Sequence, residues 1–344
     1  MKAVRSWTIA KNKHHNAFTD LTFWRDQFWL VYTASPWHLA SKRSQLVLLR
    51  SSDAQSWQEA ARFDGNGEDI RDPKLVVIQD QLTLIALLNK TIDPQPYTSI
   101  VTHSPDGTQW SAFEQIIPTD WLLGKPKSID HINWYTPAHR LGSHQVVLLK
   151  SQNGLQWEQM AAICNEAGAD ETALEFLPDG ELIATTRIEG QGSLFGSEQA
   201  GTSISISNPP YTNWEQTAFS TITRLDGPNL FTLGGEVYAV GRYQPKIGKR
   251  LRKQGSILSP KRTSLFHMDN RGLTYLIDLP SSGDTAYAGA TIHKDEVYIS
   301  YYTNKPNKDY IWLLGMMLPT QVDMAIFTLS DLKTLIKVQR ENNE

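Results

Sequence analysis

The chain alternates polar clusters with short apolar runs rich in β-branched and aromatic residues, and the alternation recurs six times. The runs are FTDLTFWRDQFWLVYTA (18–34), RDPKLVVIQDQLTLIALL (71–88), HINWYTPAHRLGSHQVVLLK (131–150), ETALEFLPDGELIATTR (171–187), GPNLFTLGGEVYAVGR (227–242) and DTAYAGATIHKDEVYISYY (284–302). Each starts polar and then offers two apolar stretches separated by a turn. The stretches are too short for helices, and their Val, Ile, Tyr and Thr favour strands. Asp-Gly in LPDGE and Gly-Gly in LGGE are hairpin signals. The pattern predicts an all-β chain of six blades over 1–344, with the closing strand drawn from VDMAIFTLS or from the N-terminal AVRSWTIA. One helix is expected, in SDLKTLIKVQRENNE, with Ser330 as its N-cap.

A second, independent repeat supports the same architecture. SSDAQSW (51–57), SPDGTQW (104–110) and SQNGLQW (151–157) each read Ser, then Asp or Asn two residues on, then Trp six after the Ser. A looser copy is SNPPYTNW at 207–214. A period of about fifty residues points to a radial array of sheets. The Asx side chain accepts backbone N–H groups of a tight turn, and the Trp can anchor the hairpin against a neighbouring blade. Asp53 and Asp106 therefore read as structural.

Composition narrows the function classes. A net charge of −3 gives no reason to expect nucleic acid. The lone Cys164 cannot form an internal disulfide and, in the apolar run MAAIC, reads as a buried thiol. The first residues hold no apolar stretch of signal-peptide type, and nothing approaches the ~20 apolar residues of a membrane helix, so a cytoplasmic location without membrane contact is the expectation. No metal-ligand spacing appears, and no metal or cofactor is expected. PKIGKRLRKQGSILSPKRT (245–263) is basic without an acid. It reads as a solvated loop or as a flap attracting an anionic ligand.

In a propeller the first strand of each blade lines the central channel, so polar residues opening first strands converge. The clusters are HHNAFTD (14–20), DIRDPK (69–74), DHINWY (130–135), DETALE (170–175), LDGPN (225–229) and SSGDTAY (281–287). They supply the candidate catalytic residues Asp20, Asp72, Glu171 and Asp284. Candidate substrate-binding residues are His15, Asn16, Arg71, Lys74, His131, Arg187, Asn229, Arg242 and Tyr287.

The Ser-x-Asp…Trp phrase resembles the Asp-box of the sialidase superfamily of β-propellers. The strings HNAFTDL, DIRDPKL, ETALEFLPDGE, DGPN and SSGDTAYAG, in that order, are similar to bacterial exo-α-sialidase-like propellers. True sialidases also carry a Phe/Tyr-Arg-Ile-Pro string whose arginine opens a three-arginine carboxylate clamp; that string is missing here. The order Asp20, Arg-Asp-Pro at 71–73, Glu171 also resembles the acid set of the invertase and arabinanase glycosidases. These resemblances imply a six-bladed sialidase-type propeller and a glycoside hydrolase acting on a carbohydrate or glycoconjugate. By the glycosidase likeness, Glu171 would be general acid/base, Asp20 nucleophile or base, and Asp72 an orienting or charge-stabilising group. An acidic sugar held by Arg71, Arg187 and Arg242 is the expected ligand. The alternatives are a glycan- or protein-binding scaffold, and a lyase using His15 or His131 with Tyr287 or Tyr302.

Overall fold

The computed structural model describes residues 4–89, 97–140, 144–191, 194–245 and 253–343. It contains six four-stranded antiparallel sheets whose inner strands pack against one another around a common axis. The fold is a six-bladed β-propeller. Blade one begins with His15–Trp24, blade two with Asp69–Ile78, blade four with Ala169–Phe176, blade five with Asp226–Leu233 and blade six with Thr285–His293.

The middle strands are covered on both faces and read as continuous apolar runs; Gln27–Ser35 is buried at all but its first residue. Outer strands such as Gln58–Asp64 are largely exposed or half-buried, and their sequences are correspondingly mixed. The apolar core forms layers between blades. Val31, Leu46 and Leu48 of blade one pack with Leu75, Leu82 and Leu84 of blade two, and similar clusters join other neighbours. The ring closes through both segments the sequence offered. Gln321–Thr328 is the third strand of blade six, and Arg5–Lys11 pairs with it as the fourth.

The repeated phrase forms the turn between third and fourth strands in blades one to four. Asp53 Oδ1 accepts the N–H groups of Gln55 and Ser56 at 2.8 and 2.7 Å, and Asp106 and Asn153 do the same in their blades. Trp57, Trp110, Trp157 and Trp214 pack into clusters shared with the preceding blade. Gly154, at φ +76°, lies where a Cβ would strike the Ile78 side chain, so the turn seats directly on the blade before it.

Three expectations need correction. Blade three begins with the short strand Trp121–Leu123, so the run from 131 supplies the second and third strands, Trp134–Arg140 and Gln145–Ser151. Its opening segment, SIDHINW (128–134), is another copy of the phrase: Asp130 Oδ1 accepts the N–H groups of Ile132 and Asn133. The same local chemistry can close either hairpin, so the pattern did not say which turn it served. The C-terminal helix Leu329–Asn343 is capped by Thr328 rather than Ser330. Thr328 Oγ1 accepts the Asp331 N–H, and Asp331 Oδ2 accepts the Thr328 N–H, a reciprocal pair. A second short helix, Trp312–Met317, was not anticipated.

Candidate active site

Five of the six inner strands carry the same irregularity near their start. The pairing register skips between Ala17 and Asp20, Arg71 and Lys74, Ala169 and Thr172, Asp226 and Asn229, and Ala286 and Gly289. Each skip is a β-bulge, which bends the strand and re-aims the extra side chains. Phe18, Asp72, Gly227 and Tyr287 occupy these bulges with positive φ, and Asp170 and Glu171 occupy the fourth-blade bulge. Repeated around the ring, the device gathers Asp72, Glu171 and Tyr287, from blades two, four and six, into one pocket with Lys74, Lys125 and His139.

A short hydrogen bond in this pocket joins Tyr287 and Glu171. The phenol donates to Glu171 Oε1 at 2.5 Å, the Gly227 N–H donates to Oε2 at 2.6 Å, and Arg187 Nη1 lies 3.0 Å from Oε2. Burial acts to raise the Glu171 pKa, but the Arg187 guanidinium and these two hydrogen bonds hold it below the ordinary value. Burial, reinforced by the Glu171 charge, pushes the Tyr287 phenol well above its usual range. The resting pair is thus a neutral phenol donating to a carboxylate. Gly227 permits the approach, since a Cβ there would lie 2.6 Å from the Tyr287 ring.

Asp20 also lines the pocket, yet both of its oxygens are engaged: Oδ1 accepts from Lys125 Nζ at 2.7 Å and Oδ2 from the Leu75 N–H at 2.7 Å. It latches blade one to blade two and is poorly placed to act as a nucleophile. Asp72 pairs with Lys74 and stays partly exposed. Asn229 lines the wall and donates to the Ala288 carbonyl.

Asp284 is not among the pocket-lining residues. Its fully buried carboxylate receives His15 Nε2 (3.0 Å), His38 Nδ1 (2.6 Å), Arg242 Nη2 (2.9 Å), Tyr302 Oη (3.1 Å) and Trp312 Nε1 (2.8 Å). Burial alone would raise its pKa; His38, His15 and Arg242 overcome that and hold it well below the carboxylate range. His15, His38 and Asp284 lie close enough to share a metal ion. The carboxylate is already saturated by five donors and sits against a buried guanidinium, so the cluster reads as a hydrogen-bonded hub. Asn16, also buried, bonds to Asn12 and to the Thr320 carbonyl away from the pocket.

The arginines are matched internally. Arg187 forks onto Asp170 at 2.7 and 2.5 Å and approaches Asp226; Arg242 is shared by Asp226 and Asp284; Arg71 pairs with Asp69. Arg242 and Lys261 also flank the Trp312 ring, at 4.6 and 5.0 Å from its centroid. His131 lies apart from all of these, exposed in the Asp130 turn. That rim carries the turns where Arg25 bonds to Pro105 and Gln79 to Gln152, whereas the pocket gathers at the opposite ends of the strands. His131 is thus remote from Tyr287 and Tyr302, whereas His15 and Tyr302, with ring centroids 6.0 Å apart, both bond to the buried Asp284 and do not line the pocket.

Lys125, Lys127, His38 and His139 escaped the sequence reading. Lys125 and Lys127 follow the three-residue inner strand of blade three, where no long apolar run marks a first strand. Four basic residues of the 245–263 segment, Lys246, Lys249, Arg250 and Arg252, lie outside the described residues. Within the remainder, Lys261 is buried against Gln244 and Arg262 pairs with Asp309.

No family model and no curated protein sequence matches the chain. Solved structures do. Phage phi92 endosialidase superposes with a TM-score of 0.68 at 10% identity, over 94% of this chain and 69% of its own. Trypanosoma rangeli sialidase, as its covalent intermediate with 2,3-difluorosialic acid, gives 0.68 at 13%, over 99% and 61%. Hadza microbial sialidase Hz136 gives 0.63 at 13%, over 92% and 66%. The chain shares the six-bladed propeller fold of these structures. At these identities the likeness establishes architecture alone, and the chain spans 61–69% of the length of these three neighbours.

Proposed function

We propose that the protein is a glycoside hydrolase that works through the Tyr287–Glu171 pair. The observation carrying this reading is the 2.5 Å contact between a half-buried phenol and a carboxylate held ionised by Arg187. A tyrosine of raised pKa is a weak nucleophile until a base receives its proton, and Glu171 is positioned to do so as Tyr287 Oη attacks an anomeric carbon. Sialidases are the glycosidases that use a tyrosine in this role, and structural neighbours of this chain carry that name.

In this scheme the Tyr287 oxygen bonds to the anomeric carbon, the glycosidic C–O bond breaks, and the departing oxygen takes a proton from an acid. Asp72, aimed into the same pocket from blade two, is the carboxyl we assign to that step. Water then displaces Tyr287 from the anomeric carbon, giving its proton to Asp72, and the phenolate recovers its proton from Glu171. Two displacements give net retention. This revises the provisional roles of Asp20 and Glu171: Glu171 serves as base to the phenol, and Asp20 supports Lys125.

The internal pairing of Arg71, Arg187 and Arg242 favours recognition through uncharged groups over a carboxylate clamp. An acidic sugar is the second reading, favoured by the three cations that line the pocket, Lys74, Lys125 and Lys127. A screen of 4-methylumbelliferyl glycosides, neutral and sialyl, at low and high salt tests both. Hydrolysis by the wild type that disappears in Tyr287→Phe supports the reading. Hydrolysis insensitive to that substitution contradicts it. Turnover of sialosides alone, weakening as salt rises, would select the acidic sugar.

A further inference from the structure

We infer that His139 reads an uncharged substituent of the bound sugar, a ring hydroxyl or an amide, through its imidazole nitrogens; the inference rests on the glycosidase reading of the same pocket. The other titratable groups lining the pocket already have partners: Asp20 with Lys125, Asp72 with Lys74, Lys127 with Glu175, and Glu171 with Tyr287. His139 lines the same pocket at 9% exposure and has no hydrogen bond or ion pair among the described residues.

Its access comes from the second strand of blade three, where His139 sits opposite Leu122 of the three-residue first strand. It is the one second-strand residue among those that line the pocket; the others belong to first strands or to the segment that follows the first strand of blade three.

The chemistry follows from burial. Burial lowers the His139 pKa to about 4, with Glu171 and Arg187 acting in opposite directions, so the ring is neutral at pH 7. A neutral imidazole offers one N–H and one lone pair. A hydroxyl or amide, itself both donor and acceptor, meets that pair; a carboxylate, which only accepts, could take the N–H but would leave the ring's lone pair unmatched. A buried polar group left unpaired is unfavourable, so a site of this kind discriminates against analogues lacking the matching group.

The test uses the full chain with galactose and sialic acid as probes. The His139 ring nitrogens are followed by long-range 1H–15N NMR at pH 7, assigned by their loss in His139→Gln, and affinities are measured by calorimetry. The ring is expected to be neutral both free and bound, with a nitrogen signal moving as sugar saturates the site. His139→Phe should weaken binding at least about tenfold, and His139→Gln, which keeps a donor and an acceptor, by no more than about threefold. Sugar binding that leaves the ring signals unmoved, or that turns the ring into imidazolium, overturns the inference while leaving the glycosidase reading intact. Binding of neither sugar overturns both. Thermal unfolding of the variants verifies folding, and the wild-type NMR result decides the matter if His139→Phe does not fold.

Discussion

The two ends of the propeller use carboxylates in opposite ways. On the rim, Asp53 and Asp106 lie in exposed turns and bond to N–H groups two and three residues ahead. At the mouth, Glu171 bonds to a phenol 116 residues away, and Asp284 to an imidazole 269 residues away. The rim carboxylates are held near pKa 2 by their own backbone. Those at the mouth remain ionised because Arg187, on the same blade as Glu171, and the His15, His38 and Arg242 groups that reach Asp284 from blades one and five offset their burial. A local carboxylate makes a turn. A carboxylate whose partners arrive only when the ring closes makes a site, and its chemistry depends on the whole fold.

The sharpest way to break this comparison is at the pair itself. Tyr287→Phe removes the attacking oxygen while keeping the ring packed beside Gly227, and should lower kcat on the order of a thousandfold or more without lowering the unfolding temperature. Glu171→Gln should lower kcat on the order of a hundredfold or more and, by leaving Arg187 less well matched, should also reduce stability. If either variant hydrolyses like the wild type, the mouth carboxylates are structural like those on the rim.

The next largest effect concerns the hub. Arg242→Ala leaves Asp226 and Asp284 buried and short of a cation, where side-chain exposures are 1% for the arginine and 3% and 0% for the acids. We expect a stability loss of about 3–5 kcal/mol by chemical denaturation. That expectation replaces the sequence-based role of Arg242 as a ligand clamp. A stable Arg242→Ala protein with weakened sugar binding would restore the clamp.

The smallest effect sharpens the rim. Asp53→Asn and Asp106→Asn should keep the turns, since Asn153 makes the same two bonds in blade three. Because the folded pKa values of about 2 lie below the ordinary 3.8, these carboxylates lend stability above pH ~4 and withdraw it as pH falls towards 2. The double variant should therefore lose less in unfolding temperature between pH 4 and pH 2 than the wild type. An identical slope would show that the bonds do not contribute.

What was legible in the sequence follows the same division. The phrase around Asp53, Asp106 and Asn153 announces itself because every bond it makes is local, and the doubly covered strands read as unbroken apolar runs. The convergence of Asp72, Glu171 and Tyr287 was visible as polar openings of first strands, but their division of labour was not. Bulges decide which opening residue faces the pocket, and a bulge leaves no distinct trace in a string such as ADETAL. Asp284 and Arg242 look like site residues for the same reason that Glu171 does; only their five-donor environment shows that they form the supporting hub. His139 was hidden because it reaches the pocket from a second strand, behind a three-residue first strand that no apolar run marks.

The most direct test is a covalent trap. The wild type is incubated with a 2-deoxy-2-fluoro glycosyl fluoride of whichever sugar it hydrolyses, or with 2,3-difluorosialic acid if that sugar is sialic acid. Intact-mass and peptide mass spectrometry are then recorded. The account predicts one glycosyl adduct per chain on the peptide containing Tyr287, no adduct in Tyr287→Phe, and retention of configuration in the hydrolysis product. Hydrolysis with inversion and no adduct, or an adduct on Asp20 or Glu171, would contradict it.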